Sequence, residues 1–351
     1  MTILQPNNKM SYKEVTIYDI ARALNLSPAT ISRGLKDHPG LRRETRERIQ
    51  EAARQMGYRH NAFASNLRRK RTNTVGVVIP RLNSYFMATV ISGIEKVANA
   101  AGYNLIISQS EESYKKEVSG VTTMFNSRVD GLLVSLAYNT ENLEHFEALL
   151  KKEIPIVFFD RVIDHSACTS IIINNRQAGY DVTRHLLSQG CTRIVHLAGS
   201  LNRNVYADRL AGYRQALDEY GIRYDESLVI PNNLTEQAGN EAAMRMLEMD
   251  PRPDGVFASN DTTAVAVIRT LKEAGLDVPH DVAVAGFNND PVASVIDPGL
   301  TTVNYPGDKM GEVAALTLMK KLDGAPAETS NVIILEHNLI VRPSSLRSNH
   351  V

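Results

Sequence analysis

The chain has 351 residues, of which 43% are hydrophobic and 22% are charged, and its formal net charge at pH 7 is zero. This length predicts two or three compact units, and the composition is that of an ordinary globular protein. The opening residues lack an apolar signal core and no apolar run reaches about 18 residues, so we expect a cytoplasmic protein that is neither exported nor inserted in a membrane.

The zero net charge conceals an uneven distribution along the chain. Residues 1–72 contain 15 Lys and Arg but only 6 Asp and Glu, a net charge of +9, and the remaining residues carry −9. A basic head on an acidic body indicates a polyanionic partner for the head alone. A solvated basic tail would give the same count, so charge leaves both interpretations open.

Short helices are predicted in the basic head, after an N-terminal extension over residues 1–14 that we expect to be disordered. The segment TIYDIARALNL is typical of a first helix, because Thr16 can cap it and Asp19 can complete a capping box. In NLSPATISRGL, Ser27 can accept amide hydrogens at a helix start and Pro28 suits the first helical position. A second helix therefore begins immediately after the first one ends.

A third helix is predicted in ETRERIQEAARQMGY, where apolar residues recur at helical spacing before Gly57. Two helices joined by a tight turn form a helix-turn-helix, whose second helix can lie in the major groove of DNA. We expect Ile31 and Leu35 to face inward, whereas Ala29 could contact a thymine methyl and Arg33 could donate two hydrogen bonds to guanine. The alternative is a three-helix bundle that binds another protein or nothing.

These segments, VTIYDIARALNLSPATISRGL with TRERIQEAARQMGY and NAFASNLRRKRTNTVGVVIP, resemble the head of LacI-type bacterial transcriptional regulators. The resemblance extends from Val15 to about Pro343 and implies a DNA-binding head over residues 15–60. Gly34 departs from it, since a branched apolar residue is usual there, and KDHPGLRR is an unusual connection. The implied DNA contacts are Thr16, Tyr18, Ser27, Pro28, Ala29, Thr30, Ser32, Arg33, Asn61, Ala64, Leu67 and Arg68.

Residues 61–73 would form a hinge by the same resemblance. This segment is expected to fold as a short helix on operator DNA, paired with its twin from a second subunit. Leu67 would insert between base pairs from the minor groove and kink the duplex, with Ala64 packed close by and Arg68 near phosphates. A flexible basic linker is the alternative interpretation.

From Thr74 onward, β-branched apolar runs alternate with helix-period stretches, which predicts an α/β domain with parallel sheets wrapped by helices. Two such sheets side by side would create a cleft at the carboxyl ends of their strands. The resemblance implies a two-lobed fold like a type I periplasmic binding protein over residues 74–345, followed by a tail at 346–351. Lobe one is expected over about 74–174 and 306–332, and lobe two over about 175–305 and 333–345.

Polar and aromatic residues after predicted strands are candidates for effector binding, although strand-end Asn and Asp commonly only cap helices. The resemblance favours binding, because Arg209 and Asn288 match the family's most regular ligand contacts. Asn288 stands where many members carry Asp, and Arg161 resembles sugar-responsive members more than the purine-responsive one. The candidate effector contacts are Tyr85, Phe86, Asp160, Arg161, Arg203, Arg209, Leu234, Asn260 and Asn288.

The leading hypothesis is a homodimeric repressor of carbohydrate-utilisation genes, which binds a near-palindromic operator under control of a sugar-like effector. A nucleoside, a phosphosugar or a co-repressor protein could replace the sugar, and a sugar-binding transport protein is a remote alternative. No P-loop or GxSxG motif occurs, Cys168 and Cys191 lack CxxC spacing, and the nine histidines form no HExxH pair. We therefore expect no enzyme activity, no metal and no cofactor.

Overall fold

The computed structural model describes residues 15–58, 71–324 and 331–347. The chain divides into two compact units, the first ending at Lys70 and the second beginning at Arg71. The predictions for the extension over 1–14 and for the hinge positions lie outside the described residues. Those hinge positions are Asn61, Ala64, Leu67 and Arg68.

The described part of the first unit contains the three predicted helices, α1 Ile17–Leu24, α2 Pro28–Leu35 and α3 Arg43–Gln55. The main-chain amide and the hydroxyl of Thr16 both donate to the Asp19 carboxylate, at 2.9 and 2.7 Å. The amide of Thr30 donates to Ser27 Oγ at 3.1 Å, which caps α2. Asn25 adopts a left-handed conformation with φ of 52°, which turns the chain between α1 and α2.

Ile20, Ile31 and Ile49, one from each helix, form the fully buried centre of this unit. Leu35 is only half-buried beside them. Gly34 is buried as well, and a Cβ at this position would lie 2.5 Å from Ile49 Cδ1. The missing side chain therefore allows α2 to pack closely against α3.

Replacing Gly34 with valine is expected to destabilise the first unit by about 1–3 kcal/mol, because the branched side chain would overpack against Ile49. Faster hydrogen exchange of the α3 amides around Ile49 in the full chain would report this change. Ala29→Val, which adds a branched side chain on the exposed face of the same helix, is the control and should leave that exchange close to wild type. Unchanged protection in Gly34→Val would contradict the prediction.

The described part of the second unit contains two six-stranded sheets, each the centre of one lobe. The first sheet has the order β11-β5-β4-β3-β1-β2 with parallel pairing throughout. Its strands are β1 Thr74–Ile79, β2 Asn104–Gln109, β3 Gly131–Val134, β4 Ile156–Phe159, β5 Thr169–Ile173 and β11 Val332–Leu335. The helices of this lobe are α4 Tyr85–Ala100, α5 Tyr114–Asn126, α6 Glu147–Leu150 and α12 Gly307–Leu322.

The second sheet has the order β12-β10-β9-β8-β6-β7, and only β12 runs antiparallel to its neighbour among these described strands. Its strands are β6 Ile194–Ala198, β7 Val229–Pro231, β8 Gly255–Ala258, β9 Ala283–Asn288, β10 Thr301–Asn304 and β12 Asn338–Ile340. The helices are α7 Asn175–Ser188, α8 Asn204–Glu219, α9 Glu236–Leu247, α10 Asp261–Glu273 and α11 Val292–Val295. The inner strands of both sheets are buried, as expected of parallel sheets covered on both faces.

Two predicted boundaries need correction. β11 pairs with β5, with Val332 opposite Ser170, so lobe one extends to Leu335 rather than ending at 332. The last crossover therefore lies between β11 and β12. The predicted tail is also too long, because Arg347 donates to the main-chain carbonyls of Asp254 and Pro279 and is tied to lobe two.

No helix within the described ranges combines the length and the apolar character that crossing a bilayer requires.

Candidate functional site

A cleft of about 440 Å³ lies between the two lobes, at the carboxyl ends of the strands of both sheets. Loops and helix starts after the strands supply its walls, which is where ligands bind in open parallel sheets. Every predicted effector contact except Arg203 lines this cleft. From lobe one come Tyr85, Phe86, Asp160 and Arg161, and from lobe two come Arg209, Leu234, Asn260 and Asn288.

An ion-pair cluster spans the cleft from lobe one. Arg161 is 7% exposed and donates to Glu112 Oε2 at 2.7 Å and to the Tyr206 hydroxyl of lobe two at 2.9 Å. Glu112 Oε1 lies 3.2 Å from Arg81 Nε, an ion-pair distance without hydrogen-bond geometry. Arg81 donates to the Asn233 carbonyl of lobe two at 3.3 Å. Glu112 therefore holds two arginines that both reach the other lobe.

Arg209 of α8 provides a second, separately held cation. It is 3% exposed, and it donates to Asn175 Oδ1 at 2.9 Å and to the Ser259 carbonyl at 3.0 Å. Its guanidinium carbon lies 3.5 Å from the centroid of the Phe287 ring, and burial lowers the pKa of Arg209. Within residues 71–324 and 331–347, its remaining nitrogen, Nη2, has no hydrogen-bond partner and is available to a ligand in the cleft.

Asp160 is a buried acceptor at the floor of the cleft. Its two oxygens accept from the Tyr305 hydroxyl at 2.8 Å and from Ser135 Oγ at 3.2 Å. Burial raises the pKa of Tyr305 well above its ordinary value, so the phenol keeps its proton and remains a donor. Phe86 stacks on the Tyr305 ring with centroids 4.2 Å apart, which fixes an aromatic wall beside the carboxylate.

The predicted amides Asn260 and Asn288 differ in how they are used. Asn260 caps α10 by accepting from the Thr263 amide at 3.0 Å, and it donates to the Leu234 carbonyl at 2.8 Å. Both of its polar groups therefore have partners in the fold. Asn288 ends β9 with φ of 112°, and its side chain has no hydrogen-bond partner in the described part of the second unit.

Two carboxyl groups lie behind and beside Asn288. Asp261 is fully buried, and it accepts from the Thr302 hydroxyl at 2.6 Å and from the Asp290 amide at 2.7 Å. Burial raises the pKa of Asp261 to about 8 and that of Asp290 to about 6. Asp290 also lines the cleft.

Four of the nine buried side-chain polar atoms that lack a hydrogen-bond partner in the described chain belong to residues that line this cleft. An unpaired buried polar group costs about 1–3 kcal/mol, so a ligand or water that pairs with it is stabilised there. The cleft-lining atoms of this kind are Glu112 Oε1, Arg161 Nε, Ser259 Oγ and Asp290 Oδ1. Two are carboxylate oxygens, which require hydrogen-bond donors, and one is a guanidinium nitrogen, which requires an acceptor.

Arg203 is placed differently from its prediction as an effector contact. It precedes α8, is 4% exposed and does not line the cleft. Its Nη2 donates to the main-chain carbonyl of Thr140 in lobe one. The structure therefore does not bring Arg203 together with the other predicted effector contacts, because its side chain bonds between the lobes instead.

The predicted DNA contacts within the described head lie at its surface. Tyr18 is 60% exposed, Pro28, Ala29 and Arg33 are exposed, and Ser32 is half-buried. Thr16, Ser27 and Thr30 take part in helix capping, and the hydroxyls of Ser27 and Thr30 lie 2.8 Å apart. Small side chains therefore flank the start of α2, where close approach to a groove is possible.

Comparisons with known proteins agree with this two-part organisation. The family model described as bacterial regulatory proteins, lacI family, matches residues 16–61, and that of the periplasmic binding protein-like domain matches residues 183–345. Catabolite control protein A of Priestia megaterium is 33% identical over 332 residues, covering 94% of this chain and 99% of that protein. The chain belongs to the lacI family of bacterial regulatory proteins.

Two further relatives of this lacI-family chain cover most of its length. The HTH-type transcriptional repressor PurR of Vibrio atlanticus is 32% identical over 308 residues, covering 88% of this chain and 92% of that protein. The structure of a transcriptional regulator CelR–cellobiose complex is similar with a TM-score of 0.72 and 28% identity, covering 94% of this chain and all of that one. The chain is thus a DNA-binding transcriptional regulator of a family whose members are not enzymes.

The cleft of this lacI-family protein also contains residues that sequence reasoning missed. Glu112 follows β2, and the backbone is in the left-handed conformation at both Glu112, with φ of 60°, and Glu111, with φ of 49°. Tyr305 follows β10, and Tyr206 lies one turn before Arg209 on α8. The strand-end rule that selected Asp160 applies equally to Glu112 and Tyr305, so that signal was present.

Proposed function

We propose that this protein is a homodimeric repressor of carbohydrate-utilisation genes, acting in the cytoplasm on a near-palindromic operator under control of a neutral sugar. Members of the family bind operator DNA and small-molecule effectors and act as dimers. The small exposed residues at the start of α2, together with the exposed Arg33 near its end, support DNA recognition by the head. A sugar bound between the lobes would change how two hinges are held on the duplex.

The observation that carries the choice of a neutral sugar is the set of unpaired cleft atoms. Of these atoms, Asp290 Oδ1 is an acceptor that a hydroxyl group satisfies and that a phosphate group would repel, whereas the charge of Glu112 is already paired with Arg81 and Arg161. The charge of Arg161 is already paired with that of Glu112. Arg209, by contrast, is held by two neutral oxygens, Asn175 Oδ1 and the Ser259 carbonyl. The aromatic wall of Phe86 and Tyr305 supports packing against a sugar ring.

Anchoring of the hinge supports the proposed route from cleft to DNA. The amides of Thr72 and Asn73 donate to the Asp130 carboxylate at 2.8 and 2.7 Å. These residues are the last two of the predicted hinge segment, and they directly precede β1 of lobe one. Movement of lobe one would therefore carry the hinge end with it.

A ligand screen by thermal unfolding tests the effector class. We expect neutral mono- or disaccharides to raise the unfolding temperature, since a ligand at about 100 times its Kd stabilises by about 2.7 kcal/mol, and their phosphorylated forms to give no shift. If only nucleosides or only phosphosugars raise the unfolding temperature, that class of compound would replace the neutral sugar as the proposed effector. Selection of operator fragments from random DNA tests the other part, and absence of any preferred sequence would contradict sequence-specific repression.

A further inference from the structure

Two successive residues at the start of α8 reach from lobe two to main-chain atoms of lobe one. Arg203 and Asn204 are outside the cleft lining and are assigned to no ligand by its geometry. Their lobe-one partners lie in two loops, the one after β3 and the one after β4. The second of these loops carries Asp160 and Arg161 into the cleft.

Asn204 pairs with main-chain groups on both sides of Arg161. Its Oδ1 accepts from the Val162 amide at 3.0 Å, and its Nδ2 donates to the Asp160 carbonyl at 3.1 Å. One side chain thereby satisfies a donor and an acceptor two residues apart. Asp160 is left-handed with φ of 59°, a conformation that costs a non-glycine residue free energy and must be held by its surroundings.

Arg203 joins lobe two to a loop of lobe one that is itself firmly bonded. Its partner is the Thr140 carbonyl, and the Thr140 hydroxyl donates to Glu117 Oε1 at 2.9 Å. Glu117 is fully buried and also accepts from the Ala137 amide at 2.7 Å. Arg203 therefore binds a rigid acceptor rather than a mobile surface group.

We propose that Arg203 and Asn204 form an interlobe latch, which holds the lobes together and fixes the Asp160–Arg161 loop in the geometry presented to the effector. They are positioning residues and do not contact the effector. The contacts of the latch do not depend on any ligand. Only the effect of the latch on DNA binding rests on the proposed function.

The energetics of the latch suit a reversible contact. Three hydrogen bonds to main-chain groups favour the closed arrangement. Against them, Nε and Nη1 of Arg203 are buried without hydrogen-bond partners among the described residues, which opposes the closed arrangement. A contact with terms of both signs can be shifted by a ligand that binds one arrangement better than the other.

Hydrogen exchange of the Val162 amide in the full, ligand-free chain tests the contact of Asn204. Asn204→Ala should accelerate exchange of this amide by about tenfold or more, whereas Asn204→Asp keeps an acceptor for it and should retain most of the protection. Asn202→Ala, at an exposed asparagine two residues earlier, is the matched control and should behave as wild type. Unchanged exchange in Asn204→Ala, or an equal increase in Asn202→Ala, would overturn the latch.

Distance measurements between spin labels test closure of the lobes. Labels at cysteines introduced at Lys115 of lobe one and Gln237 of lobe two are exposed, while the native Cys168 and Cys191 are buried. Arg203→Met should lengthen or broaden the distance distribution, and Arg203→Lys, which keeps a donor, should restore it in part. A distribution identical to wild type in both Arg203→Met and Asn204→Ala would refute the proposal, and this result is unaffected if no sugar binds.

Discussion

Replacement of Arg209 by methionine is expected to weaken the response to the effector strongly while operator binding stays intact. The Arg209 guanidinium lines the cleft and donates to two neutral oxygens, those of Asn175 and Ser259. Its Nη2 remains available to a ligand. A hydrogen bond to a charged group contributes about 1.5–3 kcal/mol, so one lost contact lowers effector affinity by roughly 10- to 150-fold. Methionine removes the guanidinium that lies over the Phe287 ring but keeps an unbranched apolar side chain, which limits the loss of packing.

Calorimetric titration with the sugar that emerges from the screen, and operator binding with and without it, would measure this effect. Arg214→Met is the matched control, because Arg214 lies on the same helix but is exposed and packs on Tyr224 outside the cleft. The variant also removes the donors to Asn175 and Ser259, so its unfolding temperature must be measured alongside. A folded Arg209→Met protein with full effector response would remove this residue from the site.

The effector cleft was largely predictable because strand-end positions follow from the alternation of strands and helices. Where that rule sufficed, as for Asp160, Arg161 and Asn288, the predicted residues line the cleft. Arg203 lies outside the cleft lining because it precedes α8, where the backbone is extended and helical spacing no longer relates it to Arg209. Its direction is set by Thr140, which lies 63 positions away in the other lobe.

Long-range pairing also explains the misplaced lobe boundary. The segment NVIILEHNLIV contains two apolar runs separated by Glu336, His337 and Asn338, with no glycine or proline between them. Its division at Glu336 and His337 arises because β11 pairs with β5 and β12 pairs with β10. Local sequence gives the presence of strands, while the choice of partner depends on contacts between distant segments.

Local signals were sufficient in the head, where the helix caps are encoded within three residues of one another. Thr16 with Asp19 and Ser27 with Thr30 form the contacts expected of them. The contribution of Gly34 could not be read in the same way. Gly34 contributes by allowing close packing against Ile49 of another helix. From sequence alone, an isolated glycine in a helix indicates only a lower helix propensity.

Arg33→Ala is expected to relax the sequence preference of the head rather than to weaken all DNA binding equally. Arg33 is exposed near the end of α2, on the face that carries Pro28 and Ala29, and no ion pair within the described residues holds it. A bidentate contact with guanine contributes about 1–3 kcal/mol of discrimination, so each half-site should lose roughly 5- to 150-fold. A phosphate contact would instead lower affinity similarly for every sequence.

Fluorescence anisotropy with the selected operator and with random duplex, at one fixed salt concentration, separates these outcomes. Arg48→Ala is the matched control, since it removes the same charge from an exposed position on α3. We expect Arg48→Ala to preserve the ratio of operator to random affinity and Arg33→Ala to reduce it. If Arg33→Ala lowers the affinity for both duplexes equally, Arg33 contacts the DNA phosphates and not the bases. Base recognition would then rest on the other exposed residues at the start of α2.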